Sequence, residues 1–218
     1  MKKTLYSLTL SDDVVQAVDA AAHRLGVSRS ALVNQILSEY VSVPTPESRI
    51  SDIFTAIENL VSPGRELVPF FAPGSPILSL KSSLTYKYRP TVRYGVELNG
   101  SGGDGAMGEL SVVFRTQSAS LIDAMTSFFR LWTRIEDAHL APLLGAHIEC
   151  ALYDGRFVRP LAMPRGKACS GAEDIAAAIS GYVQLFDRLL KGFLSGELSP
   201  ADVERAYVAD LKRRKLLI

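Results

Sequence analysis

The side chains best suited to chemistry are few and scattered. The chain of 218 residues has three histidines (His23, His139, His147) and two cysteines (Cys150, Cys169). One candidate metal site consists of His139, His147 and Cys150. The two histidines do not have the paired spacing of typical metal ligands, so a structural role is the better interpretation. No serine or cysteine nucleophile stands with a histidine and an orienting carboxylate. The sequence therefore predicts no metal centre, no cofactor and no enzyme.

A glycine-rich segment, residues 100–105, formally matches the G-x-G-x-x-G pattern of dinucleotide-binding loops. That pattern carries meaning when a strand precedes it and a helix follows it. Here Met107 leads into a further strand. The segment is therefore predicted to be a hairpin loop.

Composition and charge exclude several classes of protein. Hydrophobic residues make up 47% of the chain, and Lys+Arg (24) nearly balances Asp+Glu (23), for a net charge of +1. The composition is that of a globular protein, and the charge gives no global attraction to polyanions. No apolar run approaches the roughly 18 residues of a membrane span. Two cysteines suggest a reducing compartment, so we expect a cytoplasmic protein.

The elements that would position a functional surface begin at the N-terminus. Residues 4–10 alternate, with Tyr6, Leu8 and Leu10 on one side, which predicts a half-buried strand. Ser11, followed by two aspartates, predicts the start of a helix.

Two amphipathic helices follow this predicted strand. Gly26 is placed to end the first helix, and Ser28 to begin a second that runs to about Tyr40. About forty residues cannot bury enough apolar surface alone. The pattern therefore predicts a homodimer in which two strands pair antiparallel and four helices interlock.

The segment LYSLTLSDDVVQAVDAAAHRLGVSRSALVNQILSEYV, Leu5 to Val41, resembles the ribbon-helix-helix family, the Arc/MetJ/CopG group of DNA-binding proteins. The features that match are the alternating strand ending at Leu10, the helix start at Ser11, and the turn from Gly26 to Ser30. The resemblance covers about a fifth of the chain.

This resemblance implies a set of DNA contacts. A two-stranded ribbon fits the major groove, where the outward strand residues Leu5, Ser7 and Thr9 would contact base edges. The start of the second helix would offer its amides to a phosphate. The phosphate-contacting residues would be Lys2, Lys3, Ser28, Arg29 and Ser30. Residues 1–42 hold four basic and four acidic side chains, so counterion release by one dimer would be modest.

Residues 43–46 are predicted to be a linker, and residues 47–218 a second domain of α+β class, an antiparallel sheet packed with helices. Thr45-Pro46 predicts the start of a helix that ends near residues 62–64, followed by an ordered loop to Pro76. Residues 84–98, interrupted by Pro90, predict either an edge strand with a bulge or two strands around a tight turn.

Further along, residues 109–116 predict a strand, and an apolar stripe from Leu121 to His139 predicts a helix. Residues 146–158 predict a hairpin around Asp154-Gly155. A long helix is expected over residues 171–194, and Ser199-Pro200 predicts the start of a last helix.

Two basic groups in the second domain are candidates for secondary anion or DNA contacts. Three of these residues share one face of a strand region, and four form a run near the C-terminal end of the sequence. The alternatives are a solvated sheet face and the complement of a helix dipole. The residues are Lys87, Arg89 and Arg93 in the first group, and Lys212, Arg213, Arg214 and Lys215 in the second.

The sequence thus predicts a sequence-specific DNA-binding regulator of transcription, as the resemblance implies, and a repressor acting as a homodimer or a dimer of dimers in a prokaryotic cytoplasm. The C-terminal domain would oligomerise, bind an effector or bind a protein partner. One alternative is an antitoxin or a plasmid or relaxosome DNA-binding accessory protein. A second is a dimeric scaffold that does not bind DNA.

Overall fold

The computed structural model describes residues 5–43, 45–64, 66–71, 77–84, 90–99, 106–162 and 171–218. Within these ranges the chain forms seven α-helices and one six-stranded antiparallel sheet. The predicted α+β class is confirmed. None of the helices in these ranges has the length and apolar character needed to cross a membrane.

The two N-terminal helices form where the capping residues predict them. Helix α1 spans Asp12–Leu25 and ends at Gly26, whose φ of 66° is the left-handed conformation that glycine adopts without strain. Helix α2 spans Arg29–Tyr40, and the Ser28 hydroxyl at its start accepts a hydrogen bond from the Ala31 amide at 3.2 Å. The side chain of Ser11 makes no such bond.

The predicted strand before α1 is not formed within the single chain. Residues 5–10 belong to no strand, and the described sheet is built entirely from strands that follow residue 67. Since a strand is defined by hydrogen bonds to a neighbour, an alternating sequence can form one only when a partner is present. The strand-helix-helix arrangement is therefore not shown.

The third helix follows the N-terminal pair after a very short connection. Helix α3 spans Pro46–Val61, and the buried Thr45 hydroxyl accepts a hydrogen bond from the Ser48 amide at 3.0 Å. The predicted helix start at Thr45-Pro46 is confirmed, because Thr45 caps α3 and Pro46 is its first residue. Pro44 lies outside the described residues. A short 3₁₀ turn, Ser62–Gly64, ends this segment.

The sheet has the strand order β1-β2-β3-β4-β6-β5. Its strands are β1 (Val68–Phe71), β2 (Ile77–Ser83), β3 (Thr91–Leu98), β4 (Ala106–Phe114), β5 (Ala151–Tyr153) and β6 (Arg156–Ala162).

Three strand predictions needed correction or refinement. The loop expected before Pro76 contains β1, which is an edge strand. Pro69 has no N–H to donate, and an edge strand tolerates it because no strand lies on its outer side to require that donor. Of residues 84–98, for which one bulged strand or two strands were predicted, only Thr91–Leu98 forms a described strand, β3. Its antiparallel partner β2 lies before this span, at Ile77–Ser83, and residues 85–89 lie outside the described residues. Residues 146–150 lie outside β5, which is only three residues long.

Four further helices complete the second part of the chain. They are α4 (Ala119–His139), the short α5 (Ala141–Leu144), α6 (Ala172–Ser195) and α7 (Pro200–Leu211). The predicted apolar stripes of α4 and α6 are buried and meet around Phe186, whose ring lies 5.3 Å from that of Phe128 and 4.6 Å from that of Trp132. The core cluster contains no residue before Ile50, so α1 and α2 lie outside it.

The two faces of the sheet differ in what covers them. One set of alternating residues, which includes Leu80, Tyr94 and Val112, is buried and belongs to the helix-packed core. The other set is exposed or half-buried except for the buried Gly95, and we call it the open face. The open face consists of Val68, Phe70, Ile77, Ser79, Lys81, Arg93, Gly95, Glu97, Glu109, Ser111, Val113, Arg156, Val158 and Pro160.

A buried ionic network ties the helices to the sheet. The fully buried Arg159 of β6 donates to Glu136 of α4 at 3.0 Å and to the backbone carbonyl of Ile218. The other oxygen of Glu136 accepts hydrogen bonds from the hydroxyls of Tyr182 (2.8 Å) and Tyr207 (3.2 Å). Buried charges are tolerated when they are paired in this way.

Candidate nucleic-acid interface

The residues expected to contact bases are all exposed in the single chain. Leu5 is 97% exposed, and Ser7 and Thr9 are exposed as well. The opposite side of the segment is also uncovered, because Tyr6 is 81% and Leu8 is 62% exposed. A single copy therefore gives residues 5–10 no buried side.

Exposed apolar side chains are concentrated in the N-terminal part of the chain. Of the nineteen large exposed apolar residues in the described ranges, twelve lie between Leu5 and Val43. Only Ala22 of α1 and Leu32 of α2 are buried. So many exposed apolar side chains in a segment of about forty residues indicate an interaction site. The twelve are Leu5, Tyr6, Leu8, Leu10, Val14, Leu25, Val27, Ile36, Leu37, Tyr40, Val41 and Val43.

The start of α2, with Ser28, Arg29 and Ser30, is exposed as a phosphate contact requires. The structure adds a feature that the sequence analysis missed. Both carboxylate oxygens of Asp19 on α1 accept hydrogen bonds from the Arg29 guanidinium. This hydrogen bond and the adjacent charge raise the pKa of Arg29 above its ordinary value. The cation is thus held by α1 and partly neutralised before any phosphate approaches.

Of the other basic residues predicted to contact DNA, some lie within the described residues and some do not. Lys2, Lys3, Lys87 and Arg89 lie outside the described residues. Arg93 is exposed on the open face.

Within the sheet, Arg93 of β3 is in register with Lys81 of β2. Sequence reasoning missed Lys81 because no strand was predicted for the residues around it. Two cations therefore lie side by side on the open face.

The basic run that follows α7 is split between surface and interior. Lys212, Arg213 and Lys215 are exposed. Arg214 instead pairs with Asp210 at 2.6 Å and lies over the ring of Tyr182 at 5.2 Å. Three of the four side chains remain available to a phosphate, whereas Arg214 packs the segment against the domain.

The residues considered for metal binding have protein partners. His139 contacts Glu204 at 2.8 Å, and His147 contacts Asp137 at 3.1 Å. Burial raises the pKa of Cys150 to about 12, so its thiol stays protonated at neutral pH and is a poor metal ligand or nucleophile. In the described ranges no three His, Cys, Asp or Glu side chains form a group that could hold a metal ion.

A cleft of about 420 Å³ between α3 and α6 is one place where an effector of the second domain would fit. Its most buried polar lining residue is Asp187, which already accepts a hydrogen bond from the Tyr94 hydroxyl at 2.8 Å and pairs with Lys191 at 2.7 Å. These two bonds satisfy the buried Asp187 carboxylate without any ligand. The effector stays a prediction.

Comparison with known proteins gives no family assignment. No protein-family model matches the chain, and neither a curated protein nor a solved structure matches it.

Proposed function

We propose that the chain is a DNA-binding regulator that acts as a homodimer through residues 5–43, in which two copies of residues 5–10 pair as an antiparallel ribbon. The ribbon enters the major groove of double-stranded DNA, and α2 approaches a phosphate with its first turn. Repression is the expected outcome, because a protein seated on a promoter excludes other proteins from it.

The observation that carries this proposal is the exposed apolar surface of residues 5–43. The helices of this unit are well formed, yet more than half of their large apolar side chains are exposed, and all of the others except Leu32 are half-buried. A unit of this size requires a further apolar surface to be stable. A second copy supplies such a surface, together with a strand partner for residues 5–10, which pair with no strand in the part of the chain that the structure describes.

The proposed dimer leaves a polar side on the ribbon. When Tyr6, Leu8 and Leu10 face the helices, the alternation of a strand turns Ser7 and Thr9 outward. Hydroxyl groups can donate to or accept from base edges. Leu5 would contact thymine methyl groups.

The experiment begins with DNA sites enriched by the full chain from a library of random duplexes. Fluorescence anisotropy then compares the enriched site with random duplex for the parent chain and for Thr9→Ala. We expect Thr9→Ala to weaken binding to the enriched site about tenfold, or about 1.4 kcal/mol, and to leave random-duplex binding nearly unchanged.

Thr55→Ala is the matched control, because Thr55 is also an exposed threonine but lies on α3. This control should bind both duplexes as the parent does. If no sequence is enriched over random DNA, or if Thr9→Ala weakens both duplexes equally, the strand does not read bases and the proposal fails.

A second candidate function is a dimeric scaffold that does not bind DNA. The ion pair between Arg29 and Asp19 favours it, because the cation at the start of α2 already has a partner. This candidate predicts the same dimer, with no duplex binding above that of an unrelated protein of similar charge.

A further inference from the structure

We propose that the open face of the sheet packs against the open face of a second copy of this chain. The interface is separate from the N-terminal ribbon and goes beyond the proposed function, because it needs neither DNA nor the pairing of residues 5–10.

The open face carries exposed apolar side chains at the edge of the sheet formed by β1 and charged side chains on its inner strands. Phe70 is 66% exposed, and Val68 and Ile77 on the neighbouring strand positions are also exposed. Sheets pack face to face through residues of this kind. A fully solvated sheet face would carry polar residues at these positions.

The centre of the open face is flat. Ser79, Gly95 and Ser111 lie in one row across three neighbouring strands. A Cβ atom at Gly95 would lie only 2.6 Å from the Ser111 hydroxyl, so the absence of a side chain there keeps the two strands in close register. Small residues in the central row allow a second sheet to approach at about 10 Å.

Charges of opposite sign lie on the two sides of this central row. Arg93 precedes Gly95 by two residues on β3, and Glu97 follows it by two, so all three point to the same face. Within the described part of the chain, neither Arg93 nor Glu97 has an ion-pair partner. Glu109, by contrast, is paired with Arg156 at 3.3 Å.

These charges are self-complementary under a twofold rotation. An axis that runs along the central row, between two stacked sheets, reverses the strand direction in the second copy. Arg93 of each copy then faces Glu97 of the other. An isologous interface has this property, since residue i contacts residue j and residue j contacts residue i.

The area of the open face determines how strongly two copies are expected to pair. Six strands spaced at about 4.8 Å, with about five residues each at about 3.3 Å, cover roughly 450 Å² per copy. Two such faces bury roughly 900 Å², which is below the range of stable specific interfaces and within that of weak, transient ones. We therefore expect weak pairing of the two copies, which covalent cross-linking detects better than a measurement of molecular mass does.

The test uses cross-linking at the proposed axis in the full chain. Ser111→Cys is introduced after Cys150→Ala and Cys169→Ser have removed the native thiols, and a bis-maleimide with a short spacer is added. Because Ser111 lies on the axis, the two new thiols of a pair meet, and we expect a covalent dimer whose yield rises with protein concentration. The same chain without Ser111→Cys gives the background.

Charge variants of the chain that carries Ser111→Cys test how the two copies are oriented relative to each other. Arg93→Glu should reduce the cross-linked fraction to that of the control without Ser111→Cys. In this variant residue 93 of each copy carries a negative charge and faces Glu97 of the other copy, so the interface contains two repulsive contacts. Adding Glu97→Arg should restore the cross-linked fraction, since the exchanged charges again face opposite partners. Arg130→Glu, an equal charge reversal at an exposed position of α4, should leave the yield unchanged.

Circular dichroism of each variant confirms that the chain is folded. No cross-linking above background in the parent, equal cross-linking in all charge variants, or failure of the double variant to recover would each overturn the proposal. Protection of the residue-111 thiol by added duplex DNA, without cross-linking, would assign the face to nucleic acid and also overturn it. None of these results depends on whether residues 5–10 pair, so a failure here leaves the proposed function untouched.

Discussion

At the scale of single residues, the Arg29–Asp19 ion pair has the most direct bearing on the proposed DNA binding. The Asp19 carboxylate orients the guanidinium and also places a negative charge near the start of α2. Both groups are largely solvent-exposed, so the pair itself contributes little to stability. Its main effect is on the charge that a phosphate would meet.

This ion pair leads to opposite expectations for its two members. Arg29→Ala should weaken the binding of enriched and random duplexes alike, and should make the dependence of log K on log salt shallower by about one unit per cation lost. Asp19→Asn should strengthen both, because it removes a repulsive charge and frees the guanidinium. Anisotropy titrations at several salt concentrations measure these changes. Unchanged affinity in both variants would place α2 away from the phosphates.

A second residue-scale prediction concerns the buried pair of Arg159 and Glu136. Arg159→Leu should lower the free energy of unfolding by about 3–5 kcal/mol, because it leaves the Glu136 carboxylate buried without its cation. Arg159→Leu combined with Glu136→Leu should cost less than the sum of the two single variants. Urea unfolding provides the measurement. Strictly additive losses would show that the two side chains are energetically independent.

At the scale of elements, helices were predictable and strands less so, for a physical reason. The starts at Ser28, Thr45 and Ser199 are local signals, since each side chain accepts a hydrogen bond from an amide three residues along the chain. The edge strand β1 carries Pro69 and only four residues, so nothing local distinguished it from a loop.

The candidate site shows the same limit. The alternation of residues 5–10 predicts a strand, but within the described residues no strand pairs with them. The Arg29–Asp19 contact joins two elements and has no sequence signal of its own. A pattern predicts which residues share a face, whereas tertiary packing decides what that face meets.

The alternation of the predicted strand can be tested at neighbouring positions. In a fragment of residues 1–43, Leu8→Asp should abolish the dimer, because it puts an unpaired carboxylate from each copy into the shared core at a cost of several kcal/mol. Thr9→Asp, on the opposite side, should retain it. Sedimentation equilibrium measures the mass of each fragment. Equal masses for the two variants would contradict the proposed orientation of the strand.

At the scale of the whole molecule, the buried hydroxyl and thiol groups predict alkaline instability. Burial raises the pKa of Cys150 to about 12 and raises the pKa values of Tyr94, Tyr182 and Tyr207 above their ordinary range. Above pH 9 to 10 the unfolded chain releases protons that the folded chain retains, so stability falls as the pH rises. Each such group contributes a slope of about 1.4 kcal/mol per pH unit.

Urea unfolding at pH 8, 9.5 and 10.5 measures this loss. Cys150→Ala should show a shallower decline between pH 9 and 10.5 than the parent chain, because one of the contributing groups has been removed. A free energy of unfolding that is flat over this range would show that these groups ionise as readily in the folded chain as in the unfolded one.

The central claim is that residues 5–10 pair with the same residues of a second copy. Hydrogen exchange of the peptide covering residues 5–10, measured by mass spectrometry on the full chain without DNA, tests it most directly. Within the described ranges no strand pairs with these amides, so under the proposal their protection comes from a second copy. We predict exchange at least about tenfold slower than in an unstructured peptide, and loss of this protection in Leu8→Asp. Exchange of these amides at the unstructured rate in the parent chain would contradict the ribbon.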